Sequence, residues 1–459
     1  MIAFYLTTMG CPKNMVDSRH LLESFVSEGL ISVNAPEDAD IILVNTCGFI
    51  KDAKEESISE ILELSRLKSS SGRDVKKLLV FGCLAQRYMD ELLKEIPEID
   101  GIWGVGEERA IIEYCMNLQK QPAVRNQKSE IRVQKPKGRR SEAASSFAYL
   151  KIAEGCDKKC TFCVIPSIRG KFRSITRELI LEEAHAYVRS GVKELILVAQ
   201  DITNYGKEWK DYDLIALLRD MVSIEGDFRI RLLYLYPTEI TDELLNFIVT
   251  EEKICKYLDI PLQHSEDRLL RLMGRRGTRN EYTKLIRTIR RKIPGVTLRT
   301  TFIVGFPSES EEDFRGLIDF IEEMRFERLG VFIFSKEEGT PSAKMKDQIP
   351  EKVKKRRLDE IMRRQAAISL EKNRDLVGKR FRVIIDEVDQ DVIIGRLCSH
   401  TPEIDGVVIV DKFPVRHLKL RGCDEELSSR KSEIKVGEFA WVEIVGAYDY
   451  DVKAILVED

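Results

Sequence analysis

Three cysteines near the middle of the chain, Cys156, Cys160 and Cys163, constrain its fold and chemistry more than any other feature. The chain has no secretory features, so cysteines at spacings of four and three residues are expected to bind metal rather than form disulfides. This spacing is compact enough for one loop to wrap three irons of a cubane iron–sulfur cluster. An electron-transfer ferredoxin closes its cluster with four cysteines, whereas three leave one iron open to an exogenous molecule.

Two other interpretations of this stretch stay open: a zinc loop, or three cysteines gathered by chance. A structural zinc site needs a fourth ligand nearby, and the next histidine downstream is the lone His185. The CxxxCxxC pattern, with the aromatic Phe162 before its last cysteine, resembles the radical S-adenosylmethionine (SAM) superfamily. This resemblance favours the iron–sulfur cluster over zinc.

Length and charge narrow the class of protein. At 459 residues the chain is long enough for two or three domains, and a formal net charge of −3 gives no sign of a polyanion partner. No apolar run approaches the roughly 20 residues that span a bilayer, so we expect no membrane segment. The first residues lack the basic segment and cleavage site of a signal peptide. Ten cysteines without an export signal predict a reducing, cytoplasmic location.

Residues 1–118 alternate short apolar runs with helical patterns, which predicts an α/β domain with a mainly parallel sheet. Cys11, Cys47 and Cys83 each follow one of these runs and lie 36 residues apart, about the length of a βα unit. Each would therefore sit at the carboxyl end of a strand, where open α/β sheets bind ligands, beside a glycine that allows close approach. We interpret them as a second three-cysteine cluster site; the alternative is three small buried cysteines that end strands.

Residues 147–375 are predicted to form an open (βα)6 partial barrel followed by a long charged helix, Lys352–Asp375, whose charges form a solvated face. Six apolar runs separated by helical segments carry the barrel prediction. They are Phe147–Ala153, Glu194–Ala199, Arg229–Tyr236, Tyr257–Leu262, Thr297–Gly305 and Leu329–Phe334. The residues just past these runs are polar, Gly or Pro, so we expect them to line one pocket.

Candidate SAM contacts lie at this rim. Gly305 allows close backbone approach and Glu309 can accept hydrogen bonds from ligand hydroxyls. The alternative for this turn is an ordinary strand-to-helix connection with Ser308 as N-cap. A histidine in the same position on another strand, His264, is more simply interpreted as a hydrogen-bonded structural residue.

Two further segments complete the domain organisation. Residues 119–146 have little apolar content and predict a linker, whose basic character could touch nucleic acid but is more simply that of a solvated crossing. Residues 376–459 show period-two strands, which predict a small all-β barrel. This barrel holds 12 basic and 17 acidic residues; RNA binding normally uses a basic face, so a basic partner suits it better. The remaining cysteines are interpreted as packing or surface residues: Cys115, Cys255, Cys398 and Cys423.

This order of domains resembles the methylthiotransferases, with a last domain similar to TRAM. Within that family the chain is most similar to the branch that acts on an aspartate of the twelfth small-subunit ribosomal protein. Four stretches carry the closer match: Gly10–Asn14 with Asp17-Ser18, Val198–Gly206, Asp259–His264 and Pro402–Gly406. The tRNA branch usually has Cys-Gln-Met-Asn where this chain has Cys-Pro-Lys-Asn. Two departures are Thr401 in place of a usual Ala, and extra length in the linker and around Cys423–Ser432.

The resemblance implies two 4Fe-4S clusters and SAM as cofactors, since side chains alone cannot replace an unactivated C–H by a methylthio group. Cys156, Cys160 and Cys163 would hold the cluster that binds and cleaves SAM. Cys11, Cys47 and Cys83 would hold an auxiliary cluster carrying the donated sulfur, which a second SAM methylates. Phe162 and the Gly305 turn would pack the adenine and ribose of SAM, with Gln200 and Asp201 at the rim.

The resemblance also implies partners, and it leaves two alternative functions open. The expected partners are a basic small-subunit ribosomal protein as substrate and an electron donor such as a flavodoxin or ferredoxin, with nucleic acid not expected as substrate. The nearest rival is the same chemistry on a tRNA purine beside the anticodon, which a strong salt-dependent affinity for tRNA would favour. A rival of another class is a non-catalytic iron–sulfur or zinc protein, which predicts no SAM turnover.

Overall fold

Three sheets organise the chain in the computed structural model, which describes residues 2–70, 77–120, 145–411 and 434–458. The first sheet has five strands, the second has six, and the third is a closed five-stranded barrel. The predicted fold class is therefore confirmed: an α/β N-terminal part, an open parallel sheet and a small all-β barrel. The domain limits at residues 118, 146 and 375 stay predictions, and most of the predicted linker lies outside the described residues.

The N-terminal sheet is built from alternating strands and helices. Its elements are β1 (Ala3–Thr8), α1 (Pro12–Ser27), β2 (Ile31–Ser32), β3 (Ile41–Thr46), α2 (Lys51–Ser70), β4 (Lys77–Gly82), α3 (Cys83–Glu95), β5 (Gly101–Trp103) and α4 (Glu108–Lys120). The strand order is β2-β1-β3-β4-β5, with every pair parallel. Ile42 and Val44 pack on the side of α2 and α3, and Ile41 and Leu43 on the side of α1 and α4. Helices thus cover both faces, which is why β3 is apolar and buried along its length.

The central sheet is parallel throughout, in the order β13-β12-β11-β10-β9-β6. Its strands are β6 (Phe147–Lys151), β9 (Glu194–Val198), β10 (Arg229–Leu232), β11 (Ile254–Asp259), β12 (Thr297–Val304) and β13 (Arg328–Ile333), with a short hairpin of β7 (Ala153–Glu154) and β8 (Arg173–Ser174). Each predicted apolar run overlaps one of these six strands, although β11 begins three residues before its predicted run and β13 begins one residue before. The two edge strands do not pair with each other, so the sheet is open, as predicted.

Helices follow the central strands and pack on them in one hydrophobic core. They are α5 (Ile165–Arg169), α6 (Arg177–Arg189), α7 (Leu214–Val222), α8 (Asp242–Thr250), α9 (Asp267–Leu272), α10 (Arg279–Lys292), α11 (Glu311–Met324) and α12 (Glu351–Arg374). The suggested N-cap at Ser308 is wrong: Ser310 caps α11 in a capping box with Asp313, while Ser308 has a left-handed backbone with φ 67°. The solvated face predicted for α12 is also wrong at Lys354 and Arg357, which are buried.

The C-terminal barrel consists of β14 (Arg380–Val388), β15 (Val392–Arg396), β16 (Val408–Asp411), β17 (Phe439–Ala447) and β18 (Val452–Leu456). Its pairs are antiparallel except β16 with β18, which is parallel and closes the barrel. The sequence pattern pointed to four of these strands and not to β18. Val383, Val410, Val442 and Val452 fill the interior at 0% exposure.

A buried ionic cluster joins this barrel to the amino ends of the central strands. Glu194, the first residue of β9, is within 3.0 Å of Arg229 and is paired with Arg231 and Arg396 at 2.5 and 2.8 Å. Arg396 also pairs with Asp386 at 2.6 Å. We call these five residues the amino-end seam. Each of the three arginines contacts at least one of the two carboxylates, so the seam holds the barrel against the central sheet through ion pairs made within the protein.

The unassigned cysteines lie in three different settings. Cys115 is buried in the N-terminal core, as a packing residue. Cys255 is buried on β11, where it meets Cys398 of the C-terminal barrel beside the amino-end seam. The hydrogen bond from Cys255 lowers the pKa of the Cys398 thiol. Cys423 and the extra length around it lie outside the described residues.

Candidate active site

Cys11, Cys47 and Cys83 follow β1, β3 and β4, which are neighbours in the N-terminal sheet. Cys11 precedes α1, and Cys83 is the first residue of α3. A Cβ added to Gly10 would lie 2.7 Å from Cys47 Cβ, and one added to Gly48 would lie 2.8 Å from the carbonyl oxygen of Cys83. The adjacent glycines therefore let the three cysteine loops pack against one another. The carboxyl-end position predicted from the 36-residue spacing matches the structure.

Cys156, Cys160 and Cys163 lie on the loop between β7 and α5. The loop is anchored at both sides: the Cys156 amide donates to the Gly170 carbonyl at 3.1 Å, and the Thr161 amide donates to the Met273 carbonyl at 2.9 Å. One cation reaches it, because Arg275 Nη1 donates to Cys160 Sγ at 3.9 Å. A single loop thus presents three thiols at the carboxyl end of the central sheet.

These thiols are buried or half-buried, and burial changes the pKa of four of them. Burial raises the pKa of Cys47 and of Cys156, and raises that of Cys83 and Cys163 to about 12. A metal that binds these thiols must therefore displace a proton from each of them. Three local thiols in each set fit an iron–sulfur cluster that keeps one iron open to another ligand.

The two cysteine sets face each other. Cys83 packs against Val164 and Ile168, the residues that follow Cys163 into α5. The last residue of α5, Arg169, donates through Nη2 to Asn14 Oδ1 at 2.5 Å, and the Cys83 thiol lies 3.7 Å from the same oxygen. One amide oxygen thus links the N-terminal cysteines to the helix that follows the central cysteine loop.

A buried ionic network extends this link. Arg169 Nη2 lies 3.2 Å from Asp17 Oδ2, and its Nη1 donates to both oxygens of Glu154 at 2.9 Å. Lys151, at the carboxyl end of β6, pairs with Asp17 and with Glu154. We call Asn14, Asp17, Lys151, Glu154 and Arg169 the carboxyl-end seam. Asn14 and Asp17 stood out in the sequence only through the family resemblance, and the other three had no signal there. Lys151 and Arg169 act through Asn14 and Asp17, which lie more than 100 residues away along the chain.

The predicted rim residues Gln200 and Asp201 lie directly beyond β9 and beside this seam. Gln200 donates to Glu154 Oε1 at 3.2 Å, while its own Oε1 is buried without a hydrogen-bond partner. Asp201 Oδ1 accepts from the Thr203 amide at 3.0 Å, and Oδ2 lies 3.4 Å from Lys158 but accepts no hydrogen bond. Buried polar atoms rarely stay unsatisfied in a native site. Their free acceptors therefore fit a polar ligand at the rim.

Glu309 and Gly305 have partners within the protein. Glu309 accepts from the Gly305 amide and pairs with Arg357 of α12 at 3.1 Å. A Cβ on Gly305 would lie 2.2 Å from Lys354 Cγ, so this glycine makes room for α12. Glu309 Oε1 and His264 Nε2 lie 3.7 Å apart, both buried and without hydrogen bonds. A SAM contact at this turn stays a prediction.

Phe162 is partly buried against an apolar cluster at the same rim that includes Leu269, Met273 and Phe306. Three rim residues have left-handed backbones, Tyr234, Gln263 and Ser308. Such conformations are unfavourable for residues other than glycine and concentrate at functional sites. At the carboxyl ends of the central strands, the structure thus brings together Phe162 with its apolar cluster, the three left-handed residues, and the side-chain oxygens of Gln200 and Asp201 that accept no hydrogen bond.

Comparison with known families divides the chain into three parts. Residues 3–104 match "Uncharacterized protein family UPF0004", residues 150–321 match the Radical SAM superfamily, and residues 377–457 match the TRAM domain. No described helix is long and apolar enough to cross a membrane.

Curated relatives match over nearly the whole length. The chain is 52% identical to "Ribosomal protein uS12 methylthiotransferase RimO" of Thermodesulfovibrio yellowstonii, covering 99% of both chains. It is 43% identical to the protein of the same name in Desulfitobacterium hafniense, covering 99% of this chain and 98% of that one.

Among solved structures, the radical SAM methyltransferase TsrM from Kitasatospora setae, with cobalamin and a [4Fe-4S] cluster bound, is similar at a TM-score of 0.53 and 14% identity. The match covers 85% of this chain and 80% of that one. At this identity the likeness concerns the fold alone.

Proposed function

Because the chain belongs to the RimO family of radical SAM methylthiotransferases, we propose that it adds a methylthio group to the β-carbon of an aspartate in ribosomal protein uS12. The family supplies the reaction class, a sulfur-group transfer with SAM and a 4Fe-4S cluster as cofactors. The observation that carries the proposal is the juxtaposition of the two cysteine sets, through the contact of Cys83 with the start of α5 and the link from Asn14 to Arg169.

We assign the central loop thiols of Cys156, Cys160 and Cys163 to the 4Fe-4S cluster that binds SAM. We assign Cys11, Cys47 and Cys83 to a second 4Fe-4S cluster. When bound, the first cluster and SAM supply the hydrogen-abstracting radical, and the second cluster supplies the sulfur that is methylated and transferred. Three thiols in each set match a cluster with one iron left for SAM or sulfur.

The protein's own groups hold these cofactors in register and screen their charge. Arg275 donates to the Cys160 sulfur, and Arg169 lies between the two sets, bonded to Asn14. Both are guanidinium groups, which stay protonated at any physiological pH. Phe162 offers an apolar surface for the adenine of SAM, and the unsatisfied oxygens of Gln200 and Asp201 offer acceptors for its polar groups.

The acidic C-terminal segment suits a basic substrate such as a ribosomal protein, through complementary charge. The proposed reaction also needs an electron from outside the chain, and a flavodoxin or ferredoxin is the class of donor we expect. Neither partner requires a membrane.

Two cysteine variants test the assignment. In the reconstituted enzyme, Cys160→Ala should abolish SAM cleavage, while Cys47→Ala should leave cleavage but stop sulfur insertion. Cys115→Ala, a buried cysteine of the N-terminal core, is the matched control and should keep both reactions. The measurements are 5′-deoxyadenosine by chromatography and the methylthiolated product by mass spectrometry. Full product formation by both active-site variants would disprove the two-cluster scheme.

The substrate is tested separately in cells with and without the gene. Mass spectrometry of uS12 peptides and of tRNA nucleosides from the same culture should show loss of one methylthio group from an aspartyl peptide, with tRNA unchanged. Loss from a tRNA purine instead would keep the reaction class and overturn the protein substrate.

A further inference from the structure

A buried lysine beside the N-terminal cysteines forms no ion pair with a carboxylate of the described residues. Resting on the proposed function, we propose that Lys13 binds the side-chain carboxylate of the substrate aspartate and thereby selects aspartate over neutral side chains. Lys13 is a positioning residue in this scheme: it holds the carboxylate as an ammonium and transfers no proton.

The surroundings of Lys13 place it between the two halves of the site. It lies two residues after Cys11, in the first turn of α1, and is only 7% exposed. Its ammonium crosses to the central sheet, where it donates to the Ala199 carbonyl at 3.4 Å and lies 4.1 Å above the ring of Tyr234. Ala199 directly precedes Gln200, whose side-chain oxygen lacks a partner. The ammonium therefore faces the rim from the side of the auxiliary cysteines.

Three other cations of this rim have carboxylate partners within the described residues, whereas Arg275, like Lys13, has none. Lys151 and Arg169 share Asp17 and Glu154. The ammonium of Lys158 lies within 3.4 Å of two carboxylates, those of Asp201 and Glu239.

Arg275 is directed to the Cys160 sulfur and to the Pro261 carbonyl at 2.5 Å. Lys13 instead has one long hydrogen bond and a ring face, and within the described part of the chain no carboxylate forms an ion pair with it.

Burying an ammonium without an opposite charge is unfavourable. When a cluster is bound, the Cys11 thiolate supplies one opposite charge near Lys13, and a carboxylate that arrives with a ligand would supply a second. The substrate aspartate carries such an anion one bond from the carbon that reacts. A carboxylate held by Lys13 at hydrogen-bond distance would fix that carbon between the cysteine sets. An asparagine of the same shape could not supply the charge, which gives the site a basis for discrimination.

A purely structural role is the alternative, with Lys13 serving as a tie between α1 and the central sheet. The two roles differ in what the side chain of the substrate changes. If Lys13 is only a structural contact, replacing it should weaken binding of aspartate and asparagine substrates equally. If Lys13 binds the substrate carboxylate, replacing it should weaken binding of the aspartate substrate alone.

The test uses the cluster-loaded, full-length enzyme with a fluorescently labelled peptide of uS12 around its modified aspartate, and the same peptide with asparagine there. Fluorescence anisotropy gives Kd for each peptide, and mass spectrometry gives KM and kcat for methylthiolation. The variants are Lys13→Met, which keeps length without charge, and Lys13→Arg, which keeps charge. The matched control is Lys207→Met, an exposed rim lysine already paired with Glu239.

We expect Lys13→Met to raise both Kd and KM for the aspartate peptide about 10- to 100-fold, which corresponds to the loss of one charge-assisted hydrogen bond. The Kd of the asparagine peptide should change less than about 3-fold. Lys13→Arg should restore most of the preference for aspartate, and Lys207→Met should leave it unchanged. Iron content per chain and SAM cleavage without peptide should match the wild type in Lys207→Met.

Equal weakening of both peptides by Lys13→Met, or no change in either, would overturn the proposal. The proposed function is judged independently by the wild-type enzyme. If that enzyme failed to modify the aspartate peptide, the function would fall whatever Lys13 does. If it modified the peptide while Lys13→Met kept the same preference, only the role of Lys13 would fall.

Discussion

The two seams at opposite ends of the central sheet are both buried, ionic and made between domains, yet they differ in what they leave unpaired. Because β6 and β9 are paired from Phe147 with Glu194 to Lys151 with Val198, the two seams are separated by about 13 Å, the length of four strand steps. At the amino-end seam, every arginine has a carboxylate of the protein. At the carboxyl-end seam, Lys13 lies nearby without one.

This difference indicates that the amino-end seam attaches the barrel to the central sheet, whereas the carboxyl-end seam lies beside groups that can bind a ligand. A buried network in which every arginine contacts a carboxylate of the protein, as at the amino-end seam, stabilises one arrangement of two domains. A network with an uncompensated cation beside it, free acceptors on Gln200 and Asp201 and two sets of thiols around it has capacity left for ligands. Arg, Asp and Glu occur at both seams and therefore serve different purposes at the two ends of one sheet.

The largest effect should come from breaking the amino-end seam. Glu194→Gln would leave Arg229, Arg231 and Arg396 with little compensating charge, and we expect a loss of about 3–5 kcal/mol in the free energy of unfolding. Urea unfolding followed by the emission of Trp441 in β17, with Trp103 and Trp209 replaced by Phe, reports on this barrel. Glu443→Gln, which removes an ion-pair partner of Arg380 on the barrel surface, is the matched control. A loss below about 1 kcal/mol would show that the seam does not attach the barrel.

The same seam predicts a pH dependence. Burial alone would raise the pKa of Glu194, but Arg231, Arg396 and Arg229 outweigh burial and lower it. Its stabilisation should therefore be complete above the pKa of an unfolded Glu, about 4.3, and be lost as the pH falls below that value.

In urea titrations from pH 7 to pH 3, the difference in unfolding free energy between the wild type and Glu194→Gln should narrow only at the acid end. A difference that stayed constant over the whole range would contradict this account.

Breaking the carboxyl-end seam should cost less stability than breaking the amino-end seam, but it should make SAM cleavage less productive in forming the methylthiolated product. Arg169→Gln should lower the free energy of unfolding by about 2–3 kcal/mol, since hydrogen bonds to charged groups are lost. It should also raise the ratio of 5′-deoxyadenosine to methylthiolated product, because the two cysteine sets lose the link through Asn14. Arg396→Gln, at the other seam, is the control and should leave that ratio unchanged. An unchanged ratio in Arg169→Gln would make both seams merely structural.

The smallest effect should come from an exposed pair that also joins the C-terminal barrel to the central domain. Asp227 and Arg382 form an ion pair with side chains 54% and 43% exposed. Asp227→Asn should change the free energy of unfolding by less than about 1 kcal/mol, and less still at high salt, because water and ions screen exposed pairs. The urea series used for Glu194 measures it. A loss as large as that of Glu194→Gln would mean that burial does not distinguish the two contacts.

Much of the fold could be predicted because its signals are local. Apolar runs separated by helical segments indicated the six central strands, and the 36-residue spacing placed Cys11, Cys47 and Cys83 at strand ends. The fifth barrel strand, Val452–Leu456, was missed because a five-residue run with one lysine has a weak pattern. The turn after β12 was misread at Ser308, since a serine two residues later completes a capping box.

Glycines near the cysteines were predicted to allow ligand approach, and the structure shows a different constraint. A side chain on Gly10 or Gly48 would collide with a neighbouring cysteine loop, and one on Gly305 with Lys354. The sequence indicated that these positions need space. Which neighbour occupies that space depends on segments 35 to 49 residues away along the chain.

The sequence by itself was enough to predict SAM and a 4Fe-4S cluster, because the type and spacing of the donor atoms carry the resemblance to the radical SAM superfamily, and both are properties of the order of residues. Only the tertiary structure decided which charges are free. Whether Lys13, Arg169 or Lys354 is solvated, paired or left for a ligand depends on burial and on carboxylates brought in from distant segments. Electrostatic energy changes steeply with burial and with separations of a few ångströms, and neither quantity can be read from spacing along the chain.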